Sequence, residues 1–149
     1  MENEKLIRKL QIKPGSRLLF LNAPESFLAS LQPLSDGLTL YTIPGGSCDY
    51  VHLFAKDSAE LNQLAPIALS AVKPGGLLWF PYPKKSAKVP SDLSRDEGRV
   101  VISQAGYRPV RQVSLDDTWS AVRFREHEDK KDDDIEGKYQ GGYAKYTDL

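Results

Sequence analysis

Residues 49–80, DYVHLFAKDSAELNQLAPIALSAVKPGGLLWF, decide the fold. DYVHLFA (49–55) is an apolar run of strand length, and Asp57 or Ser58 can cap the helix that follows, with Glu60 and Leu61 in its first turn. Leu61, Leu64, Ala65, Ala68, Leu69 and Val72 fall on one side of that helix, which the spacing carries to about Val72. Pro66 removes a backbone donor in the helix interior, so a bend or break is expected there. Pro74 to Gly76 then turn the chain into a second apolar strand over Leu77–Phe80. Strand, helix and strand with such short connections predict two parallel strands joined by a right-handed crossover.

The same alternation extends outward. RLLFLN (17–22) reads as a central strand between Gly15 and Pro24, preceded by a short covering helix with Leu6, Ile7 and Leu10 on one side. Pro24 can start a helix over Glu25–Leu31, and GLTLYTI (37–43) is β-branched and alternating up to Pro44. Prolines at 81, 83 and 90 make the stretch after Phe80 a loop, and Asp92 or Ser94 can cap a helix that ends at Ala105 before Gly106. Tyr107–Ser114 and Thr118–Phe124, separated by an acidic turn at Leu115 to Asp117, predict an antiparallel hairpin. The expected fold class is therefore α/β: three layers, a mostly parallel sheet with helices on both faces and one antiparallel C-terminal strand.

Composition sets the limits. The 149 residues are 40% hydrophobic and 27% charged, with 20 basic against 20 acidic residues, which suits one domain with a real apolar core. With Cys48 as the only cysteine, an intramolecular disulfide and a multi-cysteine zinc site are excluded, in keeping with a reducing compartment. The opening MENEKLIRKLQIKPG has no apolar leader core and no later stretch is long enough to cross a bilayer, so a cytoplasmic protein without a membrane partner is expected. The neutral total divides along the chain: residues 1–125 carry 16 basic and 12 acidic residues, residues 126–149 carry 4 and 8. A folded domain over 1–125 and a charged, flexible tail over 126–149 follow, and so small a body charge argues against nucleic acid as a partner. Tyr139, Tyr143 and Tyr146 could form a binding strip in that tail, although Gly141 and Gly142 oppose a helix there.

LFLN (19–22), CDYVHLF (48–54), VKPGGLLWF (72–80) and the closing hairpin resemble the core of class I methyltransferases, which bind S-adenosylmethionine on a Rossmann-like sheet. More closely, IKPGSRLLFLNAPESF (12–27), LLWFPYPKKSAKVPSDLSRDEGR (77–99) and DDTWSAVRFR (116–125) resemble the bacterial domain-of-unknown-function 3052 family, over roughly residues 8 to 125. That likeness implies a shortened methyltransferase-like fold and carries no established activity. The departures matter as much. The methyltransferase pattern has a glycine-rich loop after the first strand and an acid ending the second, so that backbone can approach the cofactor and a carboxylate can hold its ribose. Here the first strand runs into Asn22-Ala23-Pro24-Glu25 and the second into Tyr41-Thr42-Ile43-Pro44. Gly45 and Gly46 precede a strand, where such a pair reads as a turn, and the connection there leaves no room for a further strand and helix. S-adenosylmethionine is the cofactor the resemblance implies, and these departures count against it.

Ligands of open parallel sheets bind at the carboxyl ends of the strands. That rim would gather Asn22, Glu25, Lys56, Tyr82, Lys84, Lys85 and, from the antiparallel strand, Trp119. Ammonium groups beside an amide and an indole suit an anionic small molecule, although lysines on a Pro-rich loop are commonly just solvated. His52 lies inside an apolar strand and reads as a core histidine; Cys48 beside Asp49 is a poor nucleophile; Asp116 and Asp117 serve a turn. The run Asp132, Asp133, Asp134, Glu136 lacks the glycine and spacing of a calcium loop, and no metal is expected. Catalytic residues stay unassigned. The leading expectation is a binding or regulatory module on a methyltransferase-like fold; the alternatives are a divergent methyltransferase or an enzyme of a small anionic metabolite, and a protein-interaction module.

Overall fold

Asp57 adopts an extended conformation and its side chain accepts the Glu60 N–H at 2.9 Å, while the Glu60 carboxylate accepts the Lys56 N–H at 2.9 Å. This reciprocal cap starts the long helix of the decisive segment as the sequence predicts. A computed structural model describes residues 2–34, 37–84, 91, 93 and 100–126. In chain order the elements are α1 (Glu2–Lys9), β1 (Arg17–Leu21), α2 (Glu25–Ser30), β2 (Thr39–Tyr41), β3 (Cys48–Leu53), α3 (Ser58–Ala71), β4 (Val72–Pro83), α4 (Val100–Gln104), β5 (Tyr107–Ser114) and β6 (Trp119–Glu126).

The strands form one sheet in the order β2-β1-β3-β4-β6-β5. β2, β1, β3 and β4 are mutually parallel, and β6 runs antiparallel to both β4 and β5. β5 therefore points the same way as β4 from two places away, and β6 returns through the gap as the antiparallel strand. This is the expected Rossmann-like α/β architecture.

Alternating side chains divide the core into two layers. Leu19, Val51, Leu78, Phe80, Val122 and Phe124 pack with Leu61, Ala65 and Ala68 of α3 and Ile102 of α4. Leu18, Phe20, Tyr50, Phe54, Trp79 and Ala121 pack on the other face with Leu10 and Phe27. Trp79, Tyr50, Phe20, Phe54 and Phe80 are the largest fully buried side chains. Burying each contributes on the order of 1.5–3 kcal/mol, so the sheet is anchored at its centre, in β1, β3 and β4.

Four boundaries differ from the sequence reading. α3 continues through Pro66 without a break, with that proline on its exposed side. β2 keeps only three residues of the expected 37–43, all of them paired to β1 alone. β4 begins five residues early: Cys48 pairs with Val72 but Tyr50 with Leu77, so Lys73–Gly76 form an irregular bulge and not a free turn. Gly76 is needed there, since a Cβ would sit 2.8 Å from Val72 Cγ2 and 3.0 Å from the Asp49 carbonyl. β4 also continues past Phe80 through both prolines. The Lys84 N–H donates to the Thr118 carbonyl at 2.7 Å, so residues 82 and 84 face β6 while Pro81 and Pro83 face the side that β3 has already left. Their missing N–H groups cost no ladder bond.

Of the expected helix up to Ala105, the start at Asp92 or Ser94 lies outside the described residues, as do Lys85, the three tail tyrosines and the acidic run 132–136. Among the described residues no helix is long and apolar enough to cross a membrane.

Candidate functional site

The carboxyl ends of the parallel strands meet where β1 hands over to β2 on one side and β3 on the other, the place where a crevice opens in sheets of this kind. Asn22 leaves β1 with φ 61°, a conformation open to asparagine more than to other side-chain-bearing residues. Its side-chain amide donates to the Phe54 carbonyl at 2.9 Å, and the Phe54 N–H donates to the Leu21 carbonyl at 2.9 Å. The end of β1 is thus tied to the end of β3 by the chain's own groups. Pro24 occupies the cap of α2, where it offers no N–H, and no side chain caps that helix.

The other expected rim residues are spread around this point. Trp119 sets its ring edge-on to Phe54 at 5.2 Å and packs with the α1/α2 layer. Tyr82 packs with the α3/α4 layer, on the opposite face of the sheet. The Lys84 ammonium donates to the Ser114 hydroxyl at 2.6 Å, which draws it toward the β5–β6 turn. Lys56 and Glu25 are exposed, the first just before the α3 cap and the second at the start of α2. Asn22 and Trp119 are therefore brought together around Phe54, whereas Tyr82 and Lys84 are turned elsewhere.

Beneath the rim lies His52, fully buried among Phe20, Phe27, Tyr50, Phe54 and Trp79. Its Nδ1 shares a 2.7 Å hydrogen bond with the Tyr50 hydroxyl, and burial lowers its pKa to about 3. The same burial pushes the Tyr50 hydroxyl well above its ordinary value. Neither group exchanges a proton near neutrality. Burial also raises the Cys48 thiol, with Asp49 adding to the rise and Arg17 opposing it. No group of three or more His, Cys, Asp or Glu side chains is placed to hold a metal among the described residues.

The opposite edge of the sheet, at the amino ends of the parallel strands, holds what the sequence reading missed. A cavity of about 510 Å³ lies between the β4 bulge and the end of β6, lined by Lys73, Arg123, Arg125, Tyr107 and Glu126. It shares Lys73 and Gly75–Leu77 with a second cavity of about 330 Å³ that reaches Lys13 and Ser16. Asp49 organises this edge: it accepts the Arg17 N–H at 2.8 Å and pairs with Lys73. Those two contacts hold its carboxyl below the usual aspartate range.

No protein-family model matches the chain, and no curated protein sequence matches it significantly. Solved structures do. A SAM-dependent methyltransferase from Aquifex aeolicus aligns with TM-score 0.62 at 15% identity, covering 83% of this chain and 88% of that one. The DhpI–SAH complex aligns with TM-score 0.56 at 12% identity over 83% of each chain. The N-methyltransferase NodS from Bradyrhizobium japonicum WM9 aligns with TM-score 0.54 at 14% identity, covering 85% and 94%. At these identities the likeness is one of fold, and what it establishes is that this chain has a methyltransferase-like Rossmann fold.

Proposed function

We propose that the chain is a binding module built on the methyltransferase fold, with a carboxyl rim that does not receive an adenosyl cofactor in the pose usual for that fold. The observation that carries this reading is the 2.9 Å bond from the Asn22 amide to the Phe54 carbonyl, which spans the β1–β3 crevice. Pro24 and the acid-free end of β2 agree with it: the first removes an N–H that would face a ligand, the second leaves ribose hydroxyls without a carboxylate. The residues present do not fit S-adenosylmethionine. The rim ligand of this reading is a small anion drawn by the exposed ammonium of Lys56, with Asn22 and Trp119 beside it around Phe54; Tyr82 and Lys84, turned elsewhere, take no part in it.

Calorimetric titration with S-adenosylmethionine and its demethylated product tests the reading. No saturable heat is expected up to millimolar ligand, and micromolar affinity would overturn it. A second reading, a divergent methyltransferase, is favoured by one observation: Asn22 at φ 61° makes a left-handed turn that a glycine would otherwise supply. Asn22→Gly separates the two, because it keeps the turn and removes the bridge. Micromolar cofactor binding by both proteins supports the second reading, and binding by neither supports the first.

A further inference from the structure

We propose that the cavity between the β4 bulge and the end of β6 is a binding site for a small sugar phosphate, with Lys73, Arg123 and Arg125 holding the phosphate and Glu126 accepting from the sugar hydroxyls.

The opening follows from strand pairing. The last rung that joins β4 to β6 is Leu78 with Phe124, whereas β6 stays paired to β5 as far as Glu126. Below that rung β4 bulges at Lys73–Gly76 and keeps to β3, where Val72 pairs with Cys48. The two strands part, and the cavity of about 510 Å³ occupies the gap. That volume is in the range of small-molecule sites, roughly 300–1,000 Å³, and leaves room for more than a phosphate group.

Charge is divided across the gap. Trp119 and Ala121 belong to the α1/α2 layer, so alternation along β6 turns Arg123 and Arg125 to that side, where Leu77 also packs. Tyr107 and Glu126 lie directly opposite one another on β5 and β6, and Tyr107 packs with the α3/α4 layer. Burial and then the Glu126 carboxylate raise the pKa of the Tyr107 hydroxyl, in keeping with that closeness. One side of the cavity is therefore a cationic wall and the other a carboxylate beside a phenol.

The cationic wall is preorganised. Arg123 donates to the Gln11 amide oxygen at 2.6 Å, a neutral partner that fixes the guanidinium without cancelling its charge. Arg125 follows two residues on, about 7 Å along the strand. Lys73 reaches in from the bulge, half-exposed and steadied by Asp49. Guanidinium forks match phosphate oxygens in geometry as well as charge, and the ammonium adds a third cation. Burial, then Arg125 and Arg111, lower the pKa of Arg123, and a dianion beside it offsets that repulsion. Across the gap an ionised carboxylate only accepts hydrogen bonds, so Glu126 repels phosphate and favours hydroxyls. The pair of walls thus suits a molecule with a dianion at one end and hydroxyls at the other. The cavity lies at the opposite end of the sheet from the carboxyl rim and does not depend on what binds there.

Calorimetric titration of the full chain in phosphate-free buffer, with ribose 5-phosphate, inorganic phosphate and ribose in turn, tests the proposal. Ribose 5-phosphate is expected to bind saturably, inorganic phosphate at least roughly tenfold more weakly, and ribose not measurably. Arg125→Gln, at an exposed position, should weaken ribose 5-phosphate by roughly tenfold or more with an unchanged melting midpoint, and Lys73→Gln should do the same. Glu126→Ala should bring ribose 5-phosphate down to the level of inorganic phosphate. Lys56→Gln, at the carboxyl rim, should leave binding as it is. No saturable binding of ribose 5-phosphate, inorganic phosphate bound as tightly, full affinity in folded Arg125→Gln, full discrimination in Glu126→Ala, or loss of binding in Lys56→Gln would each overturn the proposal.

Discussion

The two ends of the sheet are built on opposite terms. At the carboxyl rim polar groups satisfy one another: Asn22 with Phe54, Lys84 with Ser114, Asp57 with Glu60. At the amino edge two cavities that share Lys73 and Gly75–Leu77 open, and arginines lie opposite arginines in the β5–β6 register. The carboxyl ends are the self-bonded end here, and the cross-strand arginines lie at the end that ordinarily serves only to support the strands.

The largest effect expected comes from the core that both ends share. His52 stays neutral in the folded chain down to about pH 3, whereas in the unfolded chain it takes up a proton near pH 6.5. Across that window the unfolded state binds more protons, so acidification should cost about 1.4 kcal/mol of stability per pH unit. Urea unfolding at stepped pH measures this, and His52→Phe should remove most of the slope. A parent chain equally stable at pH 7 and pH 4 would show that His52 is not sealed in.

At the amino edge, Gly76→Ala should destabilise by about 1–3 kcal/mol, because the added methyl meets the Asp49 and Lys73 carbonyls and the Val72 side chain. The same measurement at the carboxyl rim should give less. Asn22→Ala loses one hydrogen bond and strains a left-handed residue, about 1–2 kcal/mol, and Asn22→Gly should recover part of that. If Asn22→Ala proves neutral, the bridge across β1 and β3 is not a constraint and the contrast between the two ends weakens.

The smallest effect expected is at Asp49. Its carboxyl is lowered by the Arg17 N–H and Lys73, so its contribution is fully present above the ordinary aspartate value and is lost as pH falls through the lowered one. Because the pair with Lys73 is largely solvent-exposed, Asp49→Asn should cost no more than about 1 kcal/mol near neutrality. It should also flatten stability below about pH 4.

Much of this architecture was legible in local chemistry. The cap at Asp57, the apolar spacing along α3 and the flanking runs of β3 and β4 fix a parallel unit without reference to anything distant. What escaped was set by pairing. β2 shrinks to three residues because it has a partner on one side only. The Pro-Gly-Gly segment, read as a turn, is a bulge inside β4 because Val72 is already paired with Cys48. At the rim, Asn22 and Trp119 could be placed from strand ends, but Tyr82 facing the other layer depends on the phase of β4 through two prolines. The arginine pairs were hidden twice over, by a neutral total charge and by an extra residue in β5 that no composition reveals.

That same irregular outer strand has a bearing on self-association. Exposed margins of a sheet invite another copy to add on. Here one margin is only three residues long, and the other carries Pro109, a kink and a row of fixed cations. Neither offers a long, straight template of unpaired amides, so the open ends of this sheet discourage the molecule from growing into ribbons of its own kind.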